Sequence, residues 1–592
     1  MAVEKLIVDH IDTWTTAQQT RSTAGRGSSG KIDLYGIKKL RELILELAVR
    51  GKLVPQDPND EPASVLLERI AAEKAELMKQ GKIKKQKPLP EISEEEKPFE
   101  LPVGWEWVRL NDVAEYIQRG KGPKYSEHGH VRVVSQKCVQ WNGFKLEQSR
   151  WITDESVAAY TEERFLKDGD VLWNSTGAGG TAGRVIYLPA VTEKLVVDSH
   201  VTLIRTIKQN GQFICNYIST YGIQQRFDPK HPNTLLSGTT NQAELNASVV
   251  TSFMTPFPPQ KEQERINSKV AELMSLCDQL ELHSLTSLDA HQQLVETLLT
   301  TLTDSQNADE LAENWARISE HFDTLFTTEA SIDALKQTIL QLAVMGKLVP
   351  QDPNDEPASE LLKRIAQEKA QLVKDGKMKK QKPLPPISDE EKPFVTPNHW
   401  EWVRFGEIGE IKGGGTPSKN NSAFWEGDIP WVSPKDMKVD YISKSELSIS
   451  QDAVQNSSVT LISEESLLFV VRGMILAHTF PVAIAKKEVT INQDMKAIST
   501  DLYHPDFLIK MMKACSIRVL SLVDRSSHGT CKLVSDKLFS LVLPLPPLKE
   551  QLRISSEVDS FINNCENLKQ IIKETQQTQL HLADALTNDA IN

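Results

Sequence analysis

Apolar residues recur at alternating spacings of four and three along two stretches of this chain. They are Ile266, Val270, Leu273, Cys277 and Leu280, and again Ile554, Val558, Phe561, Cys565 and Leu568. Such a stripe lies on one face of an α-helix and reads as a coiled-coil-like packing seam. Each member of the first set returns 288 positions later in the second, so the two cysteines look like seam residues rather than ligands or nucleophiles. Both stripes follow a proline-led start, FPPQKEQERI (Phe257–Ile266) and LPPLKEQLRI (Leu545–Ile554), with acid in the first turn. A helix from Gln260 to about Leu302 would span roughly 60 Å at about 1.5 Å per residue.

A second duplication has a different offset. The fourteen residues GKLVPQDPNDEPAS run from Gly51 to Ser64 and again, unchanged, from Gly346 to Ser359, an offset of 295. The match extends without a gap from Ile37–Arg109 to Ile332–Arg404 and ends in the paired tryptophans of WEWVR, Trp105 with Trp107 and Trp400 with Trp402. Leu40–Val49 and Leu335–Val344 are apolar helical stretches closed by Gly51 and Gly346. PQDPNDEP reads as a turn, and Ser64–Lys79 and Ser359–Lys374 resume as amphipathic helices. The basic, proline-punctuated GKIKKQKPLP and GKMKKQKPLP read as extended, solvated linkers, with phosphate or partner contact by their lysines as the alternative.

Between WEWVR and the proline-led helices lie two long inserts that share little sequence. The order is repeat, insert, helix block, repeat, insert, helix block. Only the middle pairing of block with repeat, about residues 257 to 404, is uninterrupted, and it is a candidate for one compact element. Its twin would be assembled from the two ends of the chain, which should therefore meet, with the halves related by an approximate two-fold axis.

The inserts read as mixed α/β with short strands at Val131–Ser135, Asp170–Asn174, Arg184–Leu188 and Val196–Arg205, and at Ile429–Val432, Ser466–Val471, Val482–Ala485 and Met495–Ser499. Glycine-rich turns between them carry polar and basic residues: QRGKGPKY (Gln118–Tyr125), WNSTGAGGTAGR (Trp173–Arg184) and KGGGTPSKNN (Lys412–Asn421). Loops on a strand scaffold are the usual place for recognition.

Composition refines this picture little. A formal charge of −12 over 592 residues argues against a nucleic-acid partner, but the excess acid sits in the duplicated parts and the inserts are near neutral, which leaves room for a basic face on each. Six cysteines with no CxxC pair indicate neither a zinc ribbon nor a disulfide framework. No apolar stretch reaches membrane-spanning length and the opening residues lack a signal-peptide pattern, so no membrane partner and a cytoplasmic location are expected.

Enzyme motifs are missing or fail on context. There is no GxxxxGK[ST] loop and no [DN]PP[YFW] tetrapeptide. Gly177–Ala182 satisfies GxGxxA with Asp198 downstream, but the following RVIYLPAVTEKLVV reads as strands and a turn where a dinucleotide site needs a helix. His128 and His130 form an HxH without a further ligand, and Ser526, Ser527 and His528 lack a nucleophile elbow. No catalytic residue and no metal site are assigned.

GGTPSKNNSAFWEGDIPWVSPKDM (Gly414–Met437) resembles the entry motif of target-recognition domains in the specificity (S) subunits of type I restriction-modification systems, and the PLPPxxEQxRI blocks resemble that family's junction from recognition domain to spacer helix. The first insert departs from the motif, with RGKGPKYSEHGHVRVVSQKC at the matching place. The resemblance implies an α+β fold of two mixed α/β target-recognition domains separated by long antiparallel coiled-coil-like helices, with an internal pseudo-two-fold, circular repeat. On that reading residues 1–30 are a flexible lead-in, 31–104 the N-terminal repeat, 105–256 the first recognition domain, 257–399 the central helical spacer with the second repeat, 400–544 the second recognition domain and 545–592 the last spacer helix.

The resemblance further implies a non-catalytic reader of double-stranded DNA that docks two modification (methyltransferase) subunits and associates with restriction subunits. S-adenosylmethionine, ATP and Mg would belong to those partners, with no cofactor bound by this chain. Two readers on one spacer should engage half-sites about 10 bp apart, centre to centre, if both approach the same face of the duplex. Side-chain chemistry selects the candidate DNA contacts. They are Arg119, Lys121, Lys124, Tyr125, Asn174, Arg184, Thr239 and Asn241 in the first insert, and Thr416, Ser418, Lys419, Asn420, Lys435, Arg472, Arg525, His528 and Lys532 in the second. Trp425 and Trp431 read as loop anchors rather than base-stacking groups. The alternative is a coiled-coil scaffold whose inserts bind something other than DNA.

Overall fold

The computed structural model describes residues 3–21, 31–83, 88–177, 180–238, 243–375, 384–525 and 530–591. Two compact units emerge. Among the described residues one holds 3–21, 32–285 and 576–591, and the other holds 286–575.

The repeat supplies the same helices to each unit: Tyr35–Val49 and Ala63–Lys79 in the first, Glu329–Val344 and Ala358–Lys374 in the second. Both leading helices end in a Schellman motif, in which Lys52 N–H reaches Leu47 O and Lys347 N–H reaches Leu342 O. The turn needs positive φ at Gly51 (+67°) and Gly346 (+71°). Glycine alone among the residues adopts this at little cost.

The two long helices run Gln260–Asp304 and Leu548–Ile591. Within their stripes Ile266, Val270, Leu273, Cys277, Ile554, Val558 and Cys565 are buried, and Leu280, Phe561 and Leu568 half-buried. Residues 257–404 do not form a single compact element, because the boundary between units falls inside both long helices. A repeat helix of 15 residues covers only part of a helix of 45, so each unit takes the start of one long helix and the end of the other. In the first unit Arg41 bonds Asp278 (2.7 Å) and Glu281 (2.9 Å), while Lys52 Nζ reaches Ile591 O at 2.7 Å. The second unit repeats this with Lys336 on Glu566 and Lys347 Nζ on Thr303 O at 2.7 Å. The N-terminal repeat thus meets the far end of the chain, as the two offsets require.

The flexible lead-in expected over 1–30 is folded in its first part, and residues 22–30 lie outside the described residues. Val3–Asp9 and Ile11–Thr16 are helices with Val3, Leu6, Ile7 and Trp14 buried. DHIDT (Asp9–Thr13) has a counterpart in EHFDT (Glu320–Thr324), where the helix Ala308–Glu320 is followed by Phe322–Leu325. This short duplication, with Trp14 and Leu325 as its buried apolar groups, is too diverged to stand out beside GKLVPQDPNDEPAS.

Each insert is closed at its base by a two-stranded ribbon. WEWVR forms one strand and the residues leading into the proline-led block form the other: Glu106–Arg109 with Met254–Phe257, and Glu401–Arg404 with Val542–Leu545. Arg109 and Arg404 lock these ribbons, donating to Pro90 O and Ser252 O, and to Pro385 O and Ser540 O, and pairing with Glu96 and Glu391.

Above the ribbons the two inserts share one topology despite their unlike sequences. The first has an antiparallel sheet in the order Val185–Tyr187, Val171–Asn174, Val201–Thr206, Ala114–Arg119. The second has Val482–Ala485, Leu467–Val470, Met495–Ser499, Glu410–Gly413 in the same order, with Tyr441–Ile442 added at one edge. Their second sheets also correspond, with Leu195–Val197 parallel to Arg132–Val134, then Arg150–Trp151, matched by Val489–Ile491 parallel to Ile429–Val432, then Leu447–Ile449, to which the second insert adds Leu461–Ile462 beside Val489–Ile491.

Candidate nucleic-acid interface

The strand expected over Val196–Arg205 is broken by a turn at Asp198–Ser199–His200, which carries the chain from one sheet to the other. The second insert has the same crossing at Asn492–Gln493–Asp494. Close packing fixes the neighbouring loop in both. A Cβ at Gly120 would collide with Val197 O, and one at Gly414 with Asn492 O, so only glycine lets the loop lie on the turn. The two glycine-rich loops therefore occupy one structural position although their motifs differ.

In the second insert two candidate contacts, Thr416 and Arg472, bond to this turn directly. The Thr416 hydroxyl donates to Gln493, and Arg472 Nε donates to Asp494 Oδ1 at 2.6 Å. Arg472 bridges Lys532 in the backbone, Lys532 lies on the hairpin of Val523–Arg525 with Cys531–Leu533, and Arg525 Nη2 donates to Ala477 O at 3.3 Å. Ser418, Lys419, Asn420, Lys435, Arg525 and Lys532 are exposed. Trp431, buried, donates its indole N–H to Gly415 O (2.9 Å), and Trp425 donates to Ser418 O (3.2 Å) while meeting Trp431 edge-on at 5.1 Å. These tryptophans anchor the glycine loop. His528 lies outside the described residues.

The first insert is tied down more tightly. Arg119 spends Nε and Nη2 on Ser199 O and Nη1 on Glu244. Lys121 donates to Ala159 O (2.7 Å) and Lys124 pairs with Glu155 (3.1 Å), both on the surface. Tyr125 is exposed beneath the Arg150 guanidinium. Arg184 donates to Gly180 O and Gln140. Asn174 is a correction, since it is fully buried with its amide donating to Gln136 O and Val139 O, and it supports the loop from within. Thr239 and Asn241 lie outside the described residues.

Residues that sequence reasoning passed over are Thr176 and His200, which bond at 2.6 Å, and Gln493 and Asp494. The signal was a polar triplet interrupting β-branched runs, VVDSHV and TINQDM. Asp198, the residue that completed the dinucleotide pattern, is buried in the turn and accepts from the His200 N–H at 2.8 Å. Burial raises its carboxyl above the ordinary range against that bond. His130 pairs with Asp154, and no cluster suited to a metal occurs among the described residues.

The family model described as "Type I restriction modification DNA specificity domain" matches residues 102–289 and 397–577, one match on each recognition domain and the start of its long helix. This chain belongs to that family. The similar specificity subunits include that of the type I restriction enzyme EcoAI of Escherichia coli, 49% identical over 625 residues and covering 100% of both chains. The EcoEI specificity subunit of the same organism is 48% identical over 613 residues, again covering 100% of each. A solved chain from work on complex assembly and conformational transition of the type I R-M system is 17% identical, covers 84% of this chain and 99% of that one, and has a TM-score of 0.47. Specificity-subunit membership fits the observed plan, in which two recognition domains of one topology carry unlike loops. No described helix is long and apolar enough to cross a membrane.

Proposed function

We propose that each recognition domain of this specificity subunit reads one half of a bipartite, gapped DNA site, and that the long helices set the gap and dock two modification subunits. The chain itself supplies no catalytic group. S-adenosylmethionine serves the modification subunits, which methylate adenine, and restriction subunits add ATP- and Mg-dependent cleavage. The observation that carries this reading is the pairing of one shared sheet order with two unlike sets of polar loops. A common scaffold keeps the geometry of approach, and differing loop side chains give each half-site its own base preference.

Within the loops the exposed Lys121, Lys124, Ser418, Lys419, Asn420, Lys435 and Lys532 are suited to phosphates, and Arg472 and Arg525 to base edges or phosphates. The ribbons at the base of each insert make the readers separable. Replacing residues 110–255 by another family insert, in a chain expressed with its modification subunit, should change one half of the methylated motif and leave the other half and the gap intact. A change in both halves would contradict independent readers.

A further inference from the structure

Among the arginines of the candidate interface, Arg472 has an unusual combination of fixation and freedom. Its Nε donates to Asp494 Oδ1 at 2.6 Å, and the Asp494 carbonyl accepts from the backbone N–H of Val471 (2.8 Å) and of Arg472 itself (3.2 Å). Asp494 is held in turn, because its own N–H donates to Asn492 Oδ1 at 3.0 Å and Asn492 N–H donates to Val432 O at 3.0 Å. The side of the guanidinium bearing Nη1 and Nη2 donates to nothing among the described residues, and the side chain is 48% exposed. Arg119, by contrast, has all three nitrogen positions occupied.

A guanidinium fixed through Nε presents two parallel N–H groups in a plane, which suits a pair of acceptors a short distance apart. Guanine O6 and N7 offer such a pair in the major groove, and so do two phosphate oxygens. Fixation favours the base. A phosphate contact tolerates a swinging cation, whereas a base edge demands a set plane, and the carboxylate behind Arg472 sets it. The corresponding place in the first insert holds Thr176 on His200, which has no such fork.

We infer that Arg472, oriented by Asp494, reads a guanine in the half-site bound by the second recognition domain. Asp494 is a positioning residue that touches no base. This inference rests on the proposed reading of DNA by the inserts. The wild-type complex should first be shown to leave a sequence-dependent methyl mark, and if it leaves none, the reading itself fails and not the role of Arg472.

The test uses the full chain with its modification subunits and duplexes carrying its own motif, in which each guanine of the second half-site is replaced singly by 7-deazaguanine, removing the N7 acceptor. At one position the wild-type complex should bind roughly tenfold more weakly, within the range of a bidentate base contact. Arg472→Ala should be indifferent to that replacement while still discriminating in the first half-site, which also reports that it folds. Asp494→Asn should keep binding to the motif but lose part of the discrimination at the same position. The inference is overturned if no 7-deazaguanine replacement in that half-site matters to the wild type, or if Arg472→Ala remains sensitive. It is equally overturned if Arg472→Ala weakens all sequences alike with a shallower salt dependence, the signature of a phosphate contact.

Discussion

Trp105 donates its indole N–H to the carboxylate of Glu262 across 2.9 Å, in a buried bond that joins the end of the repeat to the first turn of the long helix. The same bond recurs between Trp400 and Glu550 at 3.0 Å. Around each pair stand Arg265 on Asp60 (2.6 Å) and Arg553 on Asp355 (2.7 Å). WEWVR, the proline-led block and the PQDPNDEP turn are thus parts of one joint, made twice. Trp105→Phe keeps most of the packing but leaves a buried carboxylate without this donor, and should destabilise the first unit by about 1–3 kcal/mol. Calorimetric unfolding of the full chain, compared with Trp400→Phe, checks it. A smaller loss is expected for Trp400→Phe, because Gln351 still donates to Glu550 at 2.7 Å.

The joints also carry a pH dependence of known sign. Burial raises the carboxyls of Glu262 and Glu550, against the lowering pull of the tryptophan bonds. A carboxyl with a raised folded value contributes stability below its unfolded value and loses it as pH rises through the folded one. Glu262→Gln and Glu550→Gln retain an acceptor and cannot ionise, so each variant should gain on the wild type as pH rises above the ordinary carboxyl range. Glu391 has the opposite sign. The side-chain bond from Arg404 holds its carboxyl down to about 2, so its contribution is present above the unfolded value and fades as acid is added toward pH 2. Unfolding curves across that range for Glu391→Gln and the wild type should converge at the acid end.

Gly51 and Gly346 close their helices where a Cβ would stand 2.5 Å from Pro102 Cγ and Pro397 Cγ, at positive φ. Gly51→Ala combines a left-handed penalty of roughly 1–2 kcal/mol with that clash. It should lower the melting temperature of the full chain, and Gly346→Ala should do the same. An unchanged melting temperature would show that the joint yields.

The seam cysteines are packing groups. Burial pushes the Cys277 thiol up to about 11 and raises that of Cys565 as well. Neither should be alkylated by iodoacetamide at pH 8 in the folded chain, and both should react once it is denatured. Mass spectrometry of the labelled peptides distinguishes the two states.

Much of this architecture was legible in the sequence because the duplicated parts repeat both pattern and chemistry. The stripe from Ile266 to Cys277, the glycine stops and the offsets of 295 and 288 are visible without coordinates. What escaped was set by tertiary geometry. The turn at Asp198–His200 read as part of a β run, since a three-residue crossing leaves the apolar pattern almost intact, and Asn492–Asp494 lay unassigned just before the strand expected at Met495–Ser499. The shared topology of the inserts was hidden because it rests on strand order and on glycines at close approach, which many sequences satisfy. Asn174 looked like an exposed reader because it ends a strand beside a glycine loop, yet it points inward. The division inside the long helices could not be read at all, since it depends on which neighbours each half packs against and not on the helix itself.

The central claim, that two unlike readers on one chain specify a bipartite site, is tested most directly by mapping methylated adenines in DNA from cells carrying this chain with its modification subunit. A single motif of two dissimilar halves separated by a fixed run of unspecified bases, present only when both subunits are expressed, is the predicted result. A continuous or palindromic motif, or no sequence-dependent methylation, would contradict it.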